Sequence, residues 1–83
     1  MTNEEVIEIL QSALSLQELK VKSEGTHYQI IAVDERFAQM SRVKRQQLVY
    51  SPLSEKISDG TIHAVSIKTF TPDQWQREKL FNQ

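Results

Sequence analysis

The chain has 83 residues, 39% of them hydrophobic and 25% charged, which places it among ordinary small globular domains and outside the disordered class. It contains no cysteine, which excludes disulfide scaffolds, thiolate nucleophiles and thiolate metal sites; any metal must rely on the two histidines, on carboxylates or on a partner's ligands. A net charge of −1 suits a nucleic-acid binder only if its cations gather on one face.

One domain spanning 1–83 is expected at this length. No apolar run approaches a membrane span, and the start is acidic (Glu4, Glu5, Glu8), unlike a signal or transit peptide. A cytoplasmic location with no membrane partner is therefore the expectation.

Thr2 with Glu5 has the spacing of a capping box. Behind it Val6, Ile9, Leu10, Ala13 and Leu14 form one apolar helical stripe, which suits packing on a sheet. Leu19-Lys20-Val21-Lys22 alternates as a strand with Leu19 and Val21 inward. Ser23-Glu24-Gly25-Thr26 makes a tight connection, and His27 to Val33 is a second strand whose fuller apolar run suggests the sheet centre.

From Asp34 to Met40 the chain connects, with a short turn at Glu35-Arg36-Phe37 that tucks Phe37 inward. Ser41 caps a helix from Arg42 whose buried side is expected to carry Val43, Val49, Leu53 and Ile57. Pro52 lacks a backbone donor, so either a bend near Tyr50-Ser51 or two helical pieces is expected before Asp59-Gly60 ends the segment.

The stretch Thr61 to Trp75 organises the rest. Val65 and Ile67 alternate with Ser66 and Lys68 as a half-buried strand opening on His63. Thr71, Pro72 and Asp73 then start a last helix, running to about Leu80, with Trp75 covering a sheet edge or filling the space between helices.

The order is α-β-β-α-β-α, an α/β (α+β) domain with a three-stranded mixed sheet. The 41–58 helix is long enough to cross over between parallel strands. If the second and third strands are parallel neighbours, their starts, and hence His27 and His63, lie at one sheet end, about 5 Å apart in the pairing direction.

A lone histidine at a strand end is most often structural; two converging ones strengthen a ligand role for His63 and His27. Two neutral nitrogens cannot complete a metal shell, so zinc held by this chain alone is not expected, while a site shared with another protein's ligands stays open. Arg42, Lys44 and Arg45 at a helix start are either phosphate contacts on DNA, in the manner of a helix-turn-helix or KH module, or a solvated face. No aromatic residues interleave with them to stack bases, which favours the solvated face. For catalysis there is no Gly-rich phosphate loop, no nucleophile elbow and no carboxylate pair placed in a cleft, so an enzyme is not expected.

Ile62-His63-Ala64-Val65-Ser66-Ile67 followed by Thr71-Pro72-Asp73-Gln74-Trp75 resembles the C-terminal signature of the BolA family. Thr26-His27-Tyr28-Gln29-Ile30 resembles its histidine-and-aromatic strand opening, and Phe37, Ser41, Arg45, Leu48-Val49-Tyr50 and Leu53 follow its central pattern. Met40-Ser41-Arg42-Val43-Lys44 is similar to the short IbaG-like branch. The resemblance covers nearly the whole chain.

It implies a fold similar to a type II KH domain and a monothiol glutaredoxin partner sharing a [2Fe-2S] cluster. None is implied for this chain alone, expected as a monomer or weak homodimer. It implies that His63 is a cluster ligand, with His27 the candidate for the second, and it links the branch with acid-stress resistance and other branches with transcriptional control, the alternative being a nucleic-acid-binding transcriptional regulator that uses the 41–58 helix. Ala38-Gln39-Met40 departs from a family glycine and leaves no Gly-X-X-Gly clamp, and Arg45-Gln46-Gln47 replaces a common Arg-His-Arg; both departures weaken the nucleic-acid alternative.

Overall fold

The fold begins where the sequence places its first cap. In the computed structural model, which describes residues 1–80, helix α1 (Asn3–Leu14) starts with Thr2 Oγ1 accepting from the Glu5 amide at 3.1 Å. The Thr2 amide donates in return to Glu5 Oε1 at 2.9 Å. Residues 81–83 of the expected domain lie outside the described residues. Val6, Leu10 and Leu14 are buried and Ile9 partly so, but Ala13 is exposed; three residues on from Leu10, it lies about 60° around the helix, at the edge of the stripe.

Strands β1 (Glu18–Glu24) and β2 (His27–Val33) pair antiparallel, from Glu18 opposite Val33 to Glu24 opposite His27. Their loop is only Gly25-Thr26, with Gly25 at φ +62°, a conformation that glycine adopts without a Cβ clash. Strand β3 (Ala64–Phe70) lies parallel to β2, with His27 opposite Ala64 and Val33 opposite Phe70. The order β1-β2-β3 makes β2 central, as its apolar run implies.

Period-two alternation sorts the sheet into two faces. Tyr28, Ile30 and Ala32 of β2 join Val6, Leu10, Phe37, Val49, Leu53 and Ile62 in the core, with Leu19, Val21, Val65 and Ile67 packed against it. This is a small α+β domain with a three-stranded mixed sheet, whose core-facing side is covered by α1 and by the crossover between β2 and β3.

The crossover divides rather than bends. A 3₁₀ turn (Glu35–Gln39) buries Phe37; α2 (Arg42–Tyr50) follows, capped by Ser41, then a second 3₁₀ turn (Ser51–Leu53) and α3 (Ser54–Ser58). Pro52 sits inside the second 3₁₀ turn, where its missing donor interrupts the α ladder. Val49 and Leu53 are buried and Ile57 partly, but Val43 is 64% exposed. Val43 precedes Val49 by six residues, about 240° around a helix, so the two cannot share a face.

On the far side of the sheet, α4 (Pro72–Glu78) starts from a second capping box, Thr71 with Gln74. Trp75 is 1% exposed, its ring centroid 5.4 Å from that of Phe70, with Lys20 Nζ 5.5 Å from the ring centroid. Phe70 and Lys20 belong to the outward set, so Trp75 closes one end of the otherwise open face. Among the described residues no helix is long and apolar enough to cross a membrane.

Candidate functional site

Two short connections end together at the other end of the sheet. Gly25-Thr26 turns β1 into β2, and Gly60, at φ +83°, releases the chain from α3 towards β3. Buried Ile62, 1% exposed, anchors that approach, so His63 is held on one side by the core while remaining exposed itself.

The third strand begins one residue later than the sequence pattern implies. The His63 and Ala64 amides both point to the Thr26 carbonyl, at 3.3 and 3.4 Å, and the regular ladder starts at Ala64. His63 therefore lies beside Thr26, and His27 is one step further along the pairing.

Each imidazole is hydrogen-bonded to a hydroxyl. His63 Nδ1 and Thr26 Oγ1 are 3.1 Å apart, and His27 Nε2 and Ser66 Oγ are 3.0 Å apart. Both rings are exposed, and each keeps one nitrogen, His63 Nε2 and His27 Nδ1, with no hydrogen bond among the described residues. The structure thus brings the two histidines to one sheet end, as the topology implies. It turns His27 along the open face towards Ser66, while His63 has the parity of the core-facing set. Thr26 and Ser66 are the residues that sequence reasoning missed. Their signal was the register, because placing Ala64 rather than His63 opposite His27 puts a hydroxyl within reach of each ring.

No group of three or more His, Cys, Asp or Glu side chains among the described residues is arranged to hold a metal ion. The donors at this end are therefore two imidazoles, an incomplete set for any metal centre.

The basic run is split. Arg42 and Arg45 line a groove of about 490 Å³ with Gln46, the Ile67–Phe70 edge and, from α4, Arg77 and Glu78. Lys44 falls about 160° around α2 from Arg42, away from that groove. Arg45 is half-buried: its Nε donates to the Met40 carbonyl at 3.2 Å, and its guanidinium lies 5.9 Å from the Phe37 ring centroid. That side chain helps hold the 3₁₀ turn against α2. The three residues do not form one phosphate-facing row.

Residues 4–74 match the family model described as BolA-like protein. Over 82 residues the chain is 55% identical to the acid stress protein IbaG of Escherichia coli K12, covering 99% of this chain and 98% of that one. Among solved structures, a Bol-like protein from Babesia bovis superposes with a TM-score of 0.77 at 31% identity, over 95% of this chain and 94% of the other. BolA1 from Mus musculus gives 0.79, also at 31% identity, over 93% and 70%. The matches span the sheet, the divided crossover and the sheet end that bears both histidines, and the chain belongs to the BolA family, in its IbaG branch.

Proposed function

We propose that this protein is a non-catalytic adaptor that pairs with a monothiol glutaredoxin and completes a shared [2Fe-2S] cluster, serving iron–sulfur trafficking or sensing during acid stress. The observation that carries this reading is the sheet end with two exposed imidazoles, each braced by a hydroxyl through one nitrogen and open at the other. Such a donor set fits part of a cluster's coordination and cannot hold one alone, because the chain has no cysteine and no third ligand stands nearby among the described residues. The remaining ligands must come from a second protein. His63 is the principal ligand and His27 the second.

When bound, such a cluster supplies redox and transfer chemistry, and imidazole in place of thiolate makes it less negative and raises its potential. The chain's own residues fix where the imidazoles stand. Metal-bound imidazole must give up its proton at the ligating nitrogen, so acid competes with iron for both histidines. That competition offers a physical link to acid stress, the name carried by the Escherichia coli relative.

Anaerobic reconstitution of an equimolar mixture with a monothiol glutaredoxin tests this. A heterodimer whose visible spectrum differs from that of the glutaredoxin homodimer is expected; no complex on size exclusion would sink the proposal.

A further inference from the structure

The two histidines do not offer the same atom. His63 is engaged at Nδ1 by Thr26, and His27 at Nε2 by Ser66. We infer that Thr26 and Ser66 are positioning residues that select the ligating nitrogen, so that His63 presents Nε2 and His27 presents Nδ1 to a metal. This deepens the proposed function and rests on its assignment of both histidines as ligands.

Three observations carry it. First, the Thr26–His63 pair is held by the backbone as well: the Thr26 carbonyl accepts from the His63 and Ala64 amides, so hydroxyl and imidazole come from chain segments already fastened together. The ring is fixed at its Cβ by pairing and at Nδ1 by the hydroxyl. Second, Ser66 lies on β3 opposite Gln29, on the outward face that His27 shares. The His27 ring is thereby turned along the sheet, and Nδ1 is its open nitrogen. Third, a hydroxyl both donates and accepts, so it can take the Nδ1–H of His63 while its own proton goes to water; the exposure of Thr26 permits this. In that tautomer Nε2 carries a bare lone pair. A metal-bound histidine characteristically donates its other ring N–H to a nearby acceptor, which sets ring orientation and basicity.

The consequence is a site with two unlike arms. The His63 arm reaches out through the far nitrogen from a residue fastened to the core through Ile62. The His27 arm is shorter, using the nitrogen nearer its own backbone, next to a two-residue glycine turn.

The test uses Thr26→Val, which keeps the shape and removes the hydroxyl, with Thr26→Ser as the conservative rescue. In two-bond proton–nitrogen spectra of the full chain without metal, His63 is expected mainly as the Nδ1-protonated tautomer in the wild type and in Thr26→Ser. In Thr26→Val it is expected to shift towards the Nε2-protonated form, while Ser66→Ala moves only His27. In the reconstituted mixture, Thr26→Val is expected to weaken iron retention roughly 10–100-fold, and Thr26→Ser to restore it. A His63 tautomer unmoved by Thr26→Val overturns the positioning role whether or not a cluster forms. A tautomer that moves as expected, beside a wild-type mixture that assembles no cluster, removes the ligand role and the proposed function with it.

Discussion

Replacing Asp34 with alanine tests how the end of the sheet opposite the histidines is fastened. Its carboxylate is buried, 6% exposed, and accepts from the Arg36 amide at 3.0 Å, capping the 3₁₀ turn. It also accepts from the Gln17 amide at 3.2 Å, tying the turn to the start of β1, and from Arg36 Nε at 3.0 Å. Arg36 in turn reaches the Leu14 and Ser15 carbonyls at the end of α1. The lost cap is worth about 1 kcal/mol, and the Gln17 bond roughly another. The Arg36 side chain is 39% exposed, so screening limits the ion pair to about 1 kcal/mol or less. A loss of about 2–3 kcal/mol is expected, which at about 4–8 °C per kcal/mol lowers Tm by about 10–20 °C. Asp34→Asn keeps one cap oxygen and should lose about half as much.

Burial alone would raise the Asp34 carboxyl, but the Arg36 hydrogen bonds, the guanidinium charge and the Gln17 amide outweigh it and hold the carboxyl below its usual range. A depressed folded pKa stabilises above the unfolded value, about 3.9, and that contribution fades as pH falls through the folded one. Urea unfolding of both proteins should therefore show a full gap at pH 7 that begins to narrow near pH 4 and narrows further in stronger acid. An alanine variant within about 0.5 kcal/mol of wild type, or a gap unchanged in strong acid, would refute the reasoning.

His63→Ala should leave Tm within about 0.5 kcal/mol-equivalent of wild type, because the side chain is exposed, yet abolish the mixed cluster; an unchanged visible spectrum overturns the ligand assignment. His27→Ala should weaken or alter the cluster, whereas His27→Cys should retain it with a shifted spectrum, since thiolate replaces imidazole at such iron; loss in both would point to a role in folding of the hairpin. DNA binding should be weak and vanish at moderate salt, with Lys44→Ala no different from wild type in a titration at two ionic strengths. A sequence-specific complex that survives salt and needs Lys44 would restore the nucleic-acid reading.

Much of this architecture is legible in the sequence because it rests on local chemistry. Thr2 with Glu5 and Thr71 with Gln74 start helices whatever surrounds them, and the alternation through β3 assigns its faces. The division at Pro52 follows from a missing donor. What was not legible depends on phase and register. Val43 has the residue type of a buried side, but its spacing from Val49 turns it outward. The alternation makes His63 look like the first residue of β3, whereas the strand starts at Ala64. That single offset separates two histidines facing each other from two histidines each facing a hydroxyl, and only the pairing of β2 with β3 reveals it.

The Gln46 amide, which donates to the Ile67 carbonyl at 2.8 Å, bears on a hazard common to sheet proteins. β3 is an edge strand, and its odd-numbered residues point their carbonyls away from β2. An unoccupied row of such groups is a template on which another chain can add a strand. By filling the middle position from α2, Gln46 interrupts that template at its centre. A strand arriving at this edge would find its central acceptor already taken, which discourages polymerisation through the side of the sheet.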